Sequence, residues 1–397
     1  MIVADRATPE APAAPIGAAV HWHILSGEYP PQPGGVSDYT RLVALGLARA
    51  GDGVTVWAPP CGEPEQIHPG VTVRRLPDRF GPRSLRVLDR EFDRAPEPKR
   101  WLVQYVPHAF GWKAANVPFC LWLRSRRRDS LWVMFHEVAY PSGAGYSVAE
   151  RGLALVTRRM AAIVARSAQR VFVSIPAWQT LLESLAVTRA PIVWLPVASG
   201  VPVVDDPMGT AEIRTRIGGG RPIVGHLGTY GGLIRPLLTA CVPGLLAATD
   251  SHLLLLGRGG ESMRGDLVRR HPQLARRLHA PGELSDADLS RHVAACDVML
   301  QPYPDGVTTR RTSIMAALSH GKPVVTTSGR LTEPLWSGCG AVVLIPAERP
   351  ADLGAAVAGL IADPAHRRQL AARSRALYAE RFDLAHTVEA LRSAKDL

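Results

Sequence analysis

Short apolar runs alternate with longer amphipathic segments through both halves of the chain, and the two periods separate cleanly. In the first half the short runs predict strands near 19–25, 53–58, 71–75, 101–105, 131–136 and 170–174. The amphipathic segments between them predict helices near 36–50, 84–95, 113–126, 147–168 and 177–186. A Pro- and Gly-containing stretch, 196–207, interrupts the pattern and reads as a linker. The alternation then restarts, with strands expected at 222–227, 252–256, 297–301, 323–327 and 341–345. Helices are expected at 232–247, 262–278, 285–295, 309–320, 350–361 and 365–381. Runs such as LWVMF and HLLLL are apolar at every position, which suits strands covered by helices on both faces. The expected fold is α/β, with two Rossmann-like domains facing each other across a cleft. We place a flexible tail at 1–17, one domain at 18–195, the linker at 196–207 and the second domain at 208–383. A last amphipathic segment, 384–397, is expected to pack back toward the first domain. In such sheets ligands sit outside the carboxyl ends of the strands, and here two such edges can face one another.

Composition narrows the function. A chain of 397 residues is too long for one ordinary core. The five cysteines are scattered without a CxxC pair, so they read as small buried residues of a reducing compartment. The first residues, MIVADRATPEAPAAPIGAAV, lack the basic start and apolar run of a signal peptide, and no apolar stretch approaches membrane-span length. A cytoplasmic location is expected. The net charge of +11 suits acidic small molecules, anionic membrane surfaces or nucleic acid. No recognition-helix, zinc or RNP-type pattern accompanies it, so nucleic acid is set aside. Arg124, Arg126, Arg127 and Arg128 form the densest cluster. A solvated helix end is preferred there over contact with anionic lipid, because cations suit a helix C-terminus.

The richest chemistry lies in PYPDGVTTRRTSIMAALSHGKPVVTT, residues 302–327. Asp305-Gly306 signals a turn, and Thr308 and Thr309 are candidate N-caps. Gly321 and Pro323 end the helix. Its first turn gathers Arg310, Arg311, Thr312 and Ser313, ahead of Ile314. Two guanidiniums, two hydroxyls and free backbone N–H groups make a diphosphate seat; the alternative is a solvated basic turn. In the first half, Gly34-Gly35 follows the first strand and lets a phosphate or sugar approach the backbone. His136 and Glu137 end the fifth strand, where an imidazole can donate to a sugar hydroxyl or simply be a satisfied structural histidine. Tyr105 and His108 are candidate acceptor-pocket residues, with Trp112 as a flat wall. In the second half, the Gly228-Thr229-Tyr230-Gly231-Gly232 loop, Arg235 and Arg258 are candidate phosphate contacts. Glu283 and Leu284 suit a nucleobase edge, and Glu333 a ribose or sugar diol. The spacing is neither GxGxxG nor GxxxxGK[ST], and no Asp-x-Asp run lies at a strand end, so neither a dinucleotide cofactor nor a metal is expected.

These segments resemble the family 4 retaining glycosyltransferases, whose fold is GT-B. The likeness covers nearly all of the chain after the tail. It is densest in GELSDADLSRHVAACDVMLQPYPDGVTTRRTSIMAALSHGKPVVTT, and the DGVxxRRxS turn with a later TExxW points to one branch. The resemblance implies a nucleoside-diphosphate-sugar donor, a small-molecule acceptor and transfer with retention. Two departures stand out. Where many members carry two glutamates eight positions apart, anchoring on Gly321-Lys322-Pro323 gives Thr308 and Ala316. Where many pair an arginine with a lysine after the first strand of the second domain, this chain has His226 and Gly231. Arg310 and Arg311 are therefore expected to take over the diphosphate. A sugar-nucleotide epimerase and a non-catalytic sugar-nucleotide-binding protein remain as alternatives, as do monomer and homodimer. Glycosylation in specialised metabolism is a further expectation.

Overall fold

Apolar runs become two parallel sheets because strands buried on both faces need apolar residues at every position. The structure is a computed structural model and describes residues 19–393 other than 65, 144, 186, 187 and 189. The tail expected at 1–17 and the end of the segment 384–397 lie outside those residues. The first sheet holds β1 (His21–Ser26), β2 (Gly53–Ala58), β3 (Val71–Arg75), β4 (Lys99–Tyr105), β5 (Leu131–Phe135), β6 (Arg170–Val173) and β7 (Ile192–Trp194). Its order is β3-β2-β1-β4-β5-β6-β7. The second holds β8 (Ile223–Leu227), β9 (His252–Leu256), β10 (Leu278–His279), β11 (Val298–Gln301), β12 (Val324–Ser328) and β13 (Val342–Pro346), in the order β10-β9-β8-β11-β12-β13. All pairings are parallel. Strand order reverses between β1 and β4 and again between β8 and β11, which opens a crevice in each sheet.

Helices α1 (Gly35–Arg49), α2 (Pro82–Arg94), α3 (Val117–Ser125), α4 (Val148–Ser167) and α5 (Pro176–Leu185) cover the first sheet. The second domain adds α6 (Pro207–Gly218), α7 (Arg235–Ala248), α8 (Gly260–Arg270), α9 (Asp286–Ala295), α10 (Thr312–Ser319), α11 (Pro334–Gly338), α12 (Asp352–Ala362) and α13 (Pro364–Arg381). The last helix, α14 (Leu384–Ser393), lies on α1: a Cβ at Gly46 would meet Val388 at 2.6 Å, so only glycine permits this approach. Arg392 of α14 also reaches Asp52, at 3.2 Å. One buried cluster runs from Trp22 and Ile24 of β1 through Val197 to Ile314 and Ala317 of α10, so the two domains share apolar contacts.

The structure departs from the expected elements where short or interrupted patterns decide. Strand β7, strand β10 and helices α6 and α11 were not legible as periodic segments. The helix expected at 262–278 stops at Arg270, because Pro272 cannot continue it, and the chain turns into β10. The helix expected from 309 begins at Thr312 with Arg311 at its N-cap position, so neither Thr308 nor Thr309 caps it.

Candidate active site

The cleft lies where the two strand-order reversals face each other. It contains a chamber of about 520 Å3 and an adjoining one of about 400 Å3. Gly34, Gly35, Arg310, Arg311 and Thr312 line both, so the arginine pair stands at the passage between them. The larger chamber has His226, Gly228, Thr229, Arg258 and Ser313 on its second-domain wall. Glu28, His108, His136 and Glu137 belong to the smaller one, on the first domain. Arg41 of α1 and Asp286 of α9 meet across the cleft at 3.4 Å.

The arginines are not the bare cations of the sequence reading. Asp305 holds both: its Oδ2 accepts from Arg310 Nη2 at 2.8 Å and its Oδ1 from Arg311 Nη2 at 2.6 Å. Burial alone would raise the Asp305 carboxyl, but the Arg311 and Arg310 guanidiniums outweigh it and hold it below the usual range. Arg310 Nη1 also donates to Glu137 Oε1 at 3.3 Å, and Glu137 Oε2 lies 3.7 Å from His108 Nδ1. Arg310 sits over the Trp178 ring and Arg311 over the Tyr303 ring. The Nε of each is buried without an acceptor, so the pair retains donor capacity that its carboxyl partners do not use. Asp305 appeared in sequence only as a turn residue; its spacing of five and six positions ahead of two arginines was the available signal.

His136 follows β5 on the α1 side of the sheet. Its Nε2 lies 2.8 Å from Gln104 Oε1, its ring meets Tyr39 edge-on, and burial lowers its pKa to about 3. With the Gln104 carboxamide oxygen as its partner, the neutral ring donates through Nε2 and keeps Nδ1 as an acceptor.

Tyr105 requires a larger correction. Side chains alternate along β4, so with Gln104 on the His136 face Tyr105 points to the opposite one. It is fully buried there, between Phe110 and Phe135, and reaches no chamber. Trp112 is half exposed and lines neither chamber.

Gly34 is glycine for a definite reason. A Cβ there would fall 2.2 Å from Glu28 Oε1, the atom that accepts from the N–H groups of Val36 and Ser37. Glu28 thus occupies the N-terminus of α1, where a ligand phosphate or sugar was expected to approach. Glu333 is displaced too. It is buried; its Oε1 accepts from Thr309 N and its Oε2 from Trp336 Nε1, and it lines neither chamber. Glu283, Leu284 and Ile314 are also outside the lining, and Ile314 is core. Arg235 turns away to Asp266 and the Tyr230 carbonyl. Thr308 and Ala316 are both buried, so the positions of the family's paired glutamates lie outside the chamber linings. His226, noted in sequence only as a departure, is the last residue but one of β8 and lines the larger chamber; burial lowers its pKa to about 3 and its Nδ1 has no partner.

Residues 34–198 match the profile of the glycosyl transferase 4-like domain, and residues 221–363 that of glycosyl transferases group 1. The chain carries the two domains of a GT-B glycosyltransferase. Among solved structures, this glycosyltransferase is similar to sucrose-phosphate synthase from Thermosynechococcus elongatus, at 17% identity and a TM-score of 0.72 over 94% of this chain and 98% of that one. HepE of Anabaena, in complex with UDP and glucose, superposes at 17% identity and a TM-score of 0.65, again over 94% and 98%. WaaG, involved in lipopolysaccharide biosynthesis, follows at 15% identity and a TM-score of 0.62 over 94% and 98%. None of the curated proteins compared matches the chain. Among the described residues, no helix of the glycosyltransferase is long and apolar enough to cross a membrane.

Proposed function

We propose that this glycosyltransferase moves a sugar from a nucleoside-diphosphate donor to a small-molecule acceptor, with retention and without a metal ion. The observation that carries the reading is the place of Arg310 and Arg311 in the passage between two chambers. The larger chamber takes the donor, with the diphosphate against Arg310, Arg311, Arg258 and the first turn of α10. The smaller takes the acceptor, beside His108 and Glu137. As the bond from the anomeric carbon to the phosphate oxygen breaks, negative charge grows on the diphosphate, and fixed guanidiniums stabilise that charge more than the ground state. The acceptor attacks the same face and its proton passes to the departing phosphate oxygen. The transferred sugar extends from the diphosphate through the passage into the smaller chamber, where His136 Nδ1 accepts a hydrogen bond from it. HepE, which adopts the same fold, has been crystallised with UDP-glucose, and that supports a nucleotide-sugar donor. No cofactor beyond the donor is invoked, and the free cysteines fit a cytoplasmic enzyme.

The test is a thermal-shift screen against UDP, GDP, dTDP and ADP, each with magnesium or with EDTA. Stabilisation by one of them, insensitive to metal, is the expected outcome and names the base. Absence of any response would remove the donor-site reading, and a response that needs magnesium would remove the metal-free one.

A further inference from the structure

Arg310 and Arg311 are neighbours in sequence and share Asp305, yet different parts of the molecule hold them. Arg311 finds its partners within the second domain: Asp305 and the Tyr303 ring, whose centroid lies 5.0 Å from the guanidinium carbon. Arg310 has Asp305 in its own domain and two partners in the first, Glu137 and Trp178. Trp178 stands on α5 and lines neither chamber of the cleft. Its ring centroid lies 5.5 Å from the Arg310 guanidinium carbon, inside the range of a cation–π contact.

The indole is itself fixed. It packs against the first-domain core, and its Nε1–H donates to the carbonyl oxygen of His136 at 2.8 Å. One side chain behind the wall thus touches the backbone of one residue of the smaller chamber and the guanidinium of another. Arg310 needs such support, because only 16% of its side chain is exposed. Burial and then Arg311 work against its charge, and Asp305 and Glu137 favour it. Another carboxylate would cancel the charge that a diphosphate requires. An aromatic face attracts the cation without cancelling its charge and without occupying an N–H donor.

We propose that Trp178 is a positioning residue for the transfer step: it touches no substrate, and its ring face holds the Arg310 guanidinium at the passage between the chambers. The proposal rests on the reading of Arg310 as a group that stabilises the departing diphosphate. The two arginines then divide the work. Arg311, held by the second domain alone, serves nucleotide binding whether or not the first domain is engaged. Arg310 reaches its working position only against Trp178 and Glu137, so its contribution to catalysis depends on the two domains being together.

The experiment compares the full chain with R310A, W178F, W178L and R310A/W178L, and with proteins carrying mono-, di- or trifluorinated tryptophan at position 178 alone. Fluorine withdraws electron density from the ring face and leaves its shape and N–H in place, so it weakens the cation–π contact without a packing defect. Turnover is read as nucleotide released from UDP-glucose, or from the glucose ester of whichever nucleotide the thermal-shift screen names, with water as the acceptor. Nucleotide affinity is measured by calorimetry. W178L should lower kcat roughly tenfold and leave nucleotide affinity unchanged, W178F should lose less, and kcat should fall stepwise with each added fluorine. In the R310A background W178L should have no further effect, which a merely structural role would not produce. If R310A turns over as its parent does, the arginine reading fails and the proposal with it. If R310A is slow but the fluorinated proteins match their parent, or if W178L slows R310A as much as it slows the parent, the role of Trp178 alone is overturned.

Discussion

Thr309 and Glu333 are joined twice: Glu333 Oε1 accepts from the Thr309 N–H at 2.9 Å and lies 2.7 Å from its hydroxyl. The same hydroxyl lies 2.7 Å from the carbonyl of Ser174, at the end of β6, and accepts from Trp194 Nε1 at 3.1 Å. The Thr309 carbonyl accepts from Val197 N in the interdomain segment. One threonine therefore ties the turn before α10 to the first domain, directly ahead of the two arginines. The hydroxyl has a single proton, so Ser174 O and Glu333 Oε1 compete for it.

Replacing Glu333 by alanine leaves the Thr309 N–H and the Trp336 indole N–H without their acceptors. An unpaired buried donor costs about 1–3 kcal/mol, so E333A should lower stability by at least that much. E333Q retains one acceptor and should cost less. Denaturant midpoints of the two variants check this, and an E333A as stable as the parent would refute the structural role.

The arginine pair makes a kinetic prediction. Removing a fixed charge that stabilises a developing anion typically costs about a hundredfold to a thousandfold in kcat. Arg310→Ala and Arg311→Ala should each show losses of that order. Asp305→Asn, which loosens both guanidiniums without removing them, should lose less. Steady-state rates with the donor named by the nucleotide screen decide the matter; unchanged turnover in both arginine variants would sink the assignment.

A side chain at position 34 should compete with the Glu28 carboxylate for the N-terminus of α1. Gly34→Ala drives a methyl group into the Glu28 carboxyl, and overpacking of this kind costs about 1–3 kcal/mol. Glu28→Ala should relieve part of that cost, so the two changes together should destabilise less than their sum. Urea unfolding of the two single variants and the double variant supplies the cycle. Strict additivity would mean the two residues do not collide.

Three histidines set an acid limit. Burial, joined at His23 by nearby His21 and Lys99, lowers His23, His136 and His226 to about 3. In the unfolded chain each titrates near its ordinary value of about 6.5. Between those values the unfolded state binds more protons, so stability is full above about pH 6.5 and falls as pH drops toward 3. Each histidine contributes a slope of at most roughly 1.4 kcal/mol per pH unit. Unfolding midpoints from pH 7 to 4.5 should decline steeply, and His226→Gln should flatten the decline. A profile unchanged by that substitution would contradict a neutral, buried His226.

Much of the scaffold was legible because it rests on local rules. Fully apolar runs identified β5 and β9, and the strand-loop-helix rhythm led to the two-domain fold. Short elements were missed for a physical reason. The three residues of β7 and two of β10 carry no period to detect, and sheet partners alone make them strands.

At the site, chain order alone foretold which groups arrive at the cleft: Gly34, His136, Arg310 and Arg311 follow strand ends or precede a helix, and topology brings such positions together. Side-chain partners were decided only by the tertiary structure. Tyr105 was lost to the core by the alternation of β4 against a neighbouring sheet face. Glu333 turned inward because Thr309 and Trp336, distant from each other in sequence, offered donors there. Glu28 took the helix terminus that a ligand was expected to fill, and Asp305 clamped both arginines. A hydrogen bond depends on direction and distance within an ångström, and that precision comes from packing whole elements against one another rather than from the order of residues along any one of them.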